Sequence, residues 1–561
     1  MATASTKRRG SKRRGGQKGA PRPPQVGTGA GRDARAFNSD ADDGGDSPGV
    51  SEQFWTLASG ATLFVAAVLR LYALALKPMH HDEGVNGFFL TNLLREGRYV
   101  YDPTNYHGPT LYYFTLPTAA LFGLNEVAVR LVPAVFGIAT VALVLCLRRH
   151  LGTVGALAGA ALVAVSPGAV YQSRYFIHES MFVFFALGIV VASVWYYDTG
   201  RARYLMLAAA SAALMFATKE TAIITAVVLL LAWGVAWSYM KLAGAFGWAE
   251  SRRAEASGGE DGATHARIPL DDPARLVILF GSAFIIFLVV NLVLYSSFFK
   301  NPKGIADALA ALKVWTSTGV SEFHAKPWHN YLKWLGQEEA LLFLLAVCGA
   351  AAALYRARNR FAVFAGAWAF GTLAAYSLVP YKTPWLMLNF TVPMALIGGY
   401  AIEQLDAWAS RAGYKREAAV GAVLGAALLV ATVQAVILNF REYDNDRYPY
   451  VYSHTRRDVF QLLEEINRAA ERAGTGTDTR IAVAAPEYWP LPWYLNHYKN
   501  VGFHGRAGAY TDAIVVGSAK EPEATQLRTA LGPAYRRTGA VYPLRPGVDL
   551  VLYVRADTPR R

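Results

Sequence analysis

The chain has 561 residues, 53% of them hydrophobic, with a formal net charge of +14. Soluble domains average roughly 45–50% apolar residues, and here the apolar residues gather in runs of about 17–25, the length a helix needs to cross a ~30 Å hydrocarbon core. A soluble globular protein is therefore excluded. The positive charge does not indicate nucleic acid, because ten Lys/Arg lie in the first 35 residues, in a Gly/Pro/Ser-rich stretch without apolar periodicity.

Residues 1–53 are read as a disordered basic cytoplasmic tail that sets topology. Eleven spans follow, at about 54–76, 127–147, 153–171, 180–198, 204–218, 221–240, 274–296, 339–355, 361–379, 384–402 and 417–438. The first is too long for a signal peptide and lacks a small-residue cleavage site, so it reads as a retained anchor. Segment 109–123 holds two prolines and is too short to span, so a half-inserted outer helix is expected. With the tail inside, the inner side carries 25 Lys/Arg and the outer connections 11 over a comparable length. That bias obeys the positive-inside rule. Cys146 and Cys348 lie inside apolar runs and read as packing residues rather than a disulfide.

Residues 441–561 lose the long apolar runs and read as a soluble, extracytoplasmic α/β domain. An amphipathic helix is expected over 457–472, with strands over 481–485, 513–516 and 550–554. The aromatic stretch Glu487 to Tyr494 reads as core packing, with sugar stacking or membrane-surface contact as the alternative. The fold class is thus an all-α polytopic membrane protein of about 11 helices with a small C-terminal α/β domain, in the plasma membrane.

Polar residues concentrate on the outer side of this arrangement. His80-His81-Asp82-Glu83 follows the first span, and ionisable groups at a membrane edge are a functional-site hypothesis by default. His107-Gly108-Pro109 precedes the half-inserted helix, and Arg174 to Glu179 joins spans three and four. Lys219-Glu220 interrupts two apolar helices, and Lys382 lies between spans nine and ten. The outer loop 297–338 carries Trp315, Trp328 and Trp334, which suit a lid or an interfacial aromatic belt. Arg174 with Glu179, or Lys219 with Glu220, could also be charge pairs that only hold helix ends together.

The acidic pair after the first span, the semi-buried segment before the second, and Asn125 to Pro133 resemble the protein O-mannosyltransferase family. So does Arg174-Tyr175 with an acid five positions after the arginine. The wider group is the membrane glycosyltransferases of the GT-C fold: glycosyltransferase family 39 and the lipid A aminoarabinose transferases. His81-Asp82-Glu83-Gly84 and Tyr106-His107-Gly108-Pro109-Thr110 are most similar to the subfamily described as flippase-activity-associated proteins of N-glycosylation. The likeness covers residues 54–400. It implies a polyprenyl-phosphate sugar donor taken from the outer leaflet and inversion at the anomeric carbon.

By the same resemblance Asp82 matches the catalytic carboxylate and Glu83 its neighbour, and Glu179 stands where relatives place a second acid. Some relatives have a lysine before the proline that holds the lipid phosphate; here that position is Gly108. The phosphate and substrate contacts are therefore assigned to His81, His107, Arg174, His178, Lys219 and Lys382. A carboxylate at a partly desolvated membrane edge is expected to be more basic than in water. His80, His81, Asp82, His178 and Glu179 are also ligand types for a divalent metal. Adjacent positions rarely all reach one ion, and the resemblance implies none, so no metal and no cofactor is expected to be required. The acceptor stays open between protein, lipid and glycan. The competing reading is a non-catalytic accessory or flippase component for lipid-linked sugars.

Overall fold

The computed structural model describes residues 50–105, 107–246, 273–319 and 325–556. The tail, most of the inner loop before the seventh span, and Tyr106 lie outside them. Eight described helices are long and apolar enough to cross a membrane, or up to ten when each of two bent pairs is counted as one span; Ala202–Phe216 is a shorter apolar helix. The eleven expected spans each fall on one of these helices, and the chain is a multi-span membrane protein.

One expected span is not a straight rod, and a second bend lies at the outer edge of another. The segment 153–171 bends by 58° between Thr153–Val165 and Pro167–Ser173. Pro167 has no N–H to continue the first helix, and Ser166 starts the second by accepting from the Ala169 N–H at 3.1 Å. Ala340–Arg356 turns 111° from Asn330–Glu338. Cys146 and Cys348 are free and face outward, so they are not the packing residues expected.

Four helices position the site: α1 (Glu52–Leu71), α2 (His81–Glu96), α3 (Thr110–Phe122) and α4 (Glu126–Leu145). Helix α3 occupies the segment expected to be half-inserted. Helix α2 begins inside the polar motif because His80 caps it. The His80 Nδ1 accepts the Asp82 N–H at 3.1 Å, and Glu83 Oε2 accepts the His80 N–H at 2.9 Å. This reciprocal pair satisfies two N–H groups that a helix start leaves without partners.

Beyond Arg441 the chain builds a five-stranded sheet in the order β2-β1-β3-β5-β4. The strands are β1 (Arg480–Val483), β2 (Asn500–Phe503), β3 (Ile514–Ser518), β4 (Tyr535–Arg545) and β5 (Val548–Arg555). Strand β1 runs parallel to β2 and β3, while β5 is antiparallel to β3 and β4. Helix Val459–Ala473 buries Val459, Leu462, Ile466 and Ala469 against the sheet. The aromatic stretch does more than pack this core. Trp493 lies against α2, where a Cβ at Gly87 would meet its ring at 2.5 Å, and a Cβ at Gly84 would meet Pro490 at 2.7 Å. Trp493 Nε1 donates to Glu126 at 3.0 Å, and Tyr494 O–H accepts from the Met79 N–H at 2.7 Å. The sheet is thereby fastened to the helices that carry the polar motif.

Candidate functional site

A cavity of about 1200 Å³ opens beside the start of α2. Its wall brings together His80, His81 and Asp82 from α2, His107 from the loop before α3, and His178 and Glu179 from the third connection. Lys219 and Glu220 complete that side. Ile224, Leu378, Val379 and Leu386 add an apolar stretch, and Trp315 reaches it from helix Lys303–Gly319. Arg545 at the end of β4, with Glu487 and Trp489 from the loop after β1, forms the wall contributed by the C-terminal domain.

Of the nine residues expected at the site, six line this cavity: His81, Asp82, His107, His178, Glu179 and Lys219. Three do not, and each has a physical reason. Glu83 is fully buried beneath the wall. Its Oε1 accepts from Arg130 Nε at 2.7 Å and the Phe176 N–H at 2.8 Å; its Oε2 accepts from Arg130 Nη2 at 2.7 Å and from His80 N–H. Four donors saturate both oxygens, leaving none for substrate. Although burial works against the charged form, Arg130 outweighs it and holds Glu83 below its ordinary pKa.

Arg174 is likewise turned away from the cavity. Its Nη1 donates to Leu69 O at 3.2 Å, Arg70 O at 3.3 Å and Tyr72 O at 2.5 Å, and Nη2 to Ala73 O at 2.8 Å. These carbonyls end α1, where a helix has unsatisfied acceptors and negative partial charge. Arg130 continues the clamp, donating to Leu74 O at 2.8 Å, Lys77 O at 2.9 Å and Pro78 O at 3.0 Å. Two arginines thus fix the whole segment between α1 and α2. Lys382 is buried and donates to Val379 O, closing its own turn. Of the lid tryptophans, Trp334 is buried and Trp328 exposed, so only Trp315 meets the cavity.

Asp82 differs from its neighbour. Its side chain is 40% exposed, and the approach of its Oδ2 to His80 Nδ1 is 3.8 Å. That nitrogen already accepts the Asp82 N–H, while His80 Nε2 donates to Tyr452 O at 3.1 Å. Burial raises the Asp82 pKa, but His80, His81, His107 and Lys219 lower it more, and the net value falls below the ordinary one. The expected increase in basicity is therefore reversed: the group is a carboxylate throughout the neutral range. The other acids in the wall are held by cations or imidazole. Lys219 donates to Glu179, Glu220 pairs with His107 at 3.0 Å, and Arg545 donates to Glu487. Against the cost of burial, Glu179 and Glu220 keep Lys219 charged by raising its pKa. Burial, with His107 and Lys219 nearby, pushes His178 down, so it is neutral and donates from Nε2 to Gly108 O, 3.2 Å away.

Sequence reasoning missed Arg545, whose only signal was Pro546-Gly547, a turn dipeptide that places a hairpin tip but not what it touches; Glu487 and Trp489 lay in the aromatic stretch read as core packing, and they line the cavity instead. Among the described residues no three His, Cys, Asp or Glu side chains converge as a metal would require.

A family model described as dolichyl-phosphate-mannose-protein mannosyltransferase matches residues 106–246. No curated protein matches the chain in sequence. Among solved structures, ArnT from Cupriavidus metallidurans bound to undecaprenyl phosphate is similar at TM-score 0.55 and 13% identity, covering 91% of this chain and 100% of that one. Its apo state gives TM-score 0.53 and 14% identity over 89% and 98%. The apo oligosaccharyltransferase of Archaeoglobus fulgidus gives 0.50 and 14% identity, over 81% of this chain and 64% of that one. These likenesses show the fold.

Proposed function

We propose that this chain is a membrane glycosyltransferase of the GT-C, protein-mannosyltransferase-like type, and that it moves a sugar from a polyprenyl-phosphate donor to an acceptor hydroxyl at the outer face of the membrane. Asp82 is the general base. One observation carries the assignment: in the cavity wall Glu179 and Glu487 are held by Lys219 and Arg545 and Glu220 by His107 at 3.0 Å, while Asp82 is 40% exposed, has no lysine or arginine partner, and meets its nearest imidazole, His80, only at 3.8 Å.

The acceptor O–H gives its proton to Asp82 as its oxygen bonds the anomeric carbon and the bond from that carbon to the phosphate oxygen breaks. Attack opposite the leaving phosphate inverts the anomeric configuration. The departing phosphate needs positive groups and no general acid. Lys219 supplies a charge, so catalysis rests on positioning and electrostatics. Glu179 orients Lys219 and does not act as a second base. The apolar stretch from Ile224 to Leu386 suits the first isoprene units of the donor. The undecaprenyl phosphate bound by ArnT supports a lipid of that kind. The excess of Lys/Arg on the opposite side of the spans supports the outer face.

The test is to give the purified full chain labelled polyprenyl-phosphate hexoses with peptide, lipid and glycan acceptors. Transfer with an inverted anomeric centre is expected for one donor class. Movement of label across vesicles without transfer would instead favour the accessory or flippase reading.

A further inference from the structure

We propose that Arg545 is a positioning residue for the reaction, supplied by the C-terminal sheet, which fixes the His81 ring beside Asp82 as one neutral tautomer. The proposal deepens the transferase reading and rests on it for its kinetic arm only.

The backbone delivers Arg545 deliberately. Strands β4 and β5 meet at Pro546-Gly547, with Arg545 paired to Val548 and Gly547 at φ +78°, a conformation that glycine adopts without strain. The register shifts between Pro543 and Arg545, and such a bulge re-aims the side chain that follows it. The guanidinium leaves the sheet, is 7% exposed, and enters the cavity wall.

There it makes three contacts. Nη1 donates to His81 Nδ1 at 2.9 Å and to Trp489 O at 3.1 Å, and Nη2 to Glu487. An arginine has only donors, so His81 Nδ1 must be unprotonated and the ring proton must sit on Nε2. Trp489 and Glu487, both from the loop after β1, hold the guanidinium from behind. Lysine, with one compact ammonium, cannot span all three partners in one plane. The charged and titratable groups facing His81 are His80 and Asp82 at the start of its own helix, Arg545 from the sheet and Glu487 from the loop after β1. Burial dominates and pushes His81 down to about 4, with Arg545 acting in the same direction. A neutral imidazole next to Asp82 does not form an ion pair with the base, which leaves the carboxylate available to the acceptor proton.

Full-length chain carrying 15N-histidine, with His81 assigned by difference against H81Q, reads this directly. In the wild type His81 is expected as the single Nε2–H tautomer with no titration above pH 5. In R545A both tautomers should appear, and the midpoint should move upward toward the ordinary imidazole value, short of it because burial remains. R545K should restore the charge effect on the midpoint but not the single tautomer. In the kinetic arm R545A should lower kcat on the order of tenfold with little change in donor KM, and R545K should recover part of it. Gel filtration checks that R545A folds, and R545K provides the readout if it does not. An unchanged His81 tautomer and midpoint in R545A would overturn the proposal. An inactive wild type with the expected spectra would instead count against the transferase reading alone.

Discussion

Asp82 and Glu83 are neighbours on the first turn of α2 and have opposite surroundings. Glu83 faces inward, where Arg130, Phe176 N–H and His80 N–H occupy both oxygens. Asp82 faces the cavity with 40% of its side chain exposed. Successive residues of a helix point about 100° apart, so one turn places one acid in the frame and the other at the chemistry. The lesson is that a pair of acids in sequence need not be a pair in function. The same division separates the arginines. Arg130 and Arg174 are consumed by carbonyls and Glu83, whereas Arg545 reaches the cavity.

The sharpest way to break this division is to neutralise each acid without changing its size. Asp82→Asn should lower transfer by about 10²–10⁴-fold, the range for loss of a general base, while the thermal midpoint in detergent stays within a degree or two. Glu83→Gln leaves Arg130 buried and uncompensated, which should cost roughly 3–5 kcal/mol. It should appear as a lower unfolding midpoint and poorer recovery of folded protein. A stable E83Q would return Glu83 to the list of candidates for chemistry.

The pH profile sharpens the comparison from another side. With the Asp82 pKa below its ordinary 3.8, the base loses activity only as pH falls through that lowered value. kcat/KM should therefore show no acid limb from Asp82 between pH 5 and 8; a limb near 6 would mean that the base is a histidine. The smallest effect concerns the seam between sheet and helices. Trp493→Phe removes the 3.0 Å bond to Glu126 while keeping the ring against Gly87. It should cost about 1.5 kcal/mol, the low end for a bond to a charged group, read as a modest fall in the unfolding midpoint.

Much of the fold was legible because membrane spans declare themselves by length and hydropathy, and each of the eleven expected segments is helical. The two bends were not: Ser166 at one and Glu339 at the other meet at 2.6 Å, a contact between residues 173 apart that only the fold brings together. In the site, His81, Asp82, His107, His178, Glu179 and Lys219 were recoverable because polar residues between apolar runs are conspicuous. Arg174 and Lys382 were just as conspicuous but serve main-chain carbonyls, a demand that only the folded backbone reveals. Arg545 lies 464 residues from His81, in a segment whose sequence reads as an ordinary hairpin. Strands β2 and β4 also escaped because neither is a continuous apolar run.

The most direct measurement compares D82N and E83Q on the same detergent preparations, reading single-turnover release of polyprenyl phosphate from a labelled donor alongside the unfolding midpoint. The account predicts lost turnover with an unmoved midpoint for D82N, and a lowered midpoint for E83Q. Full turnover by folded D82N would contradict it.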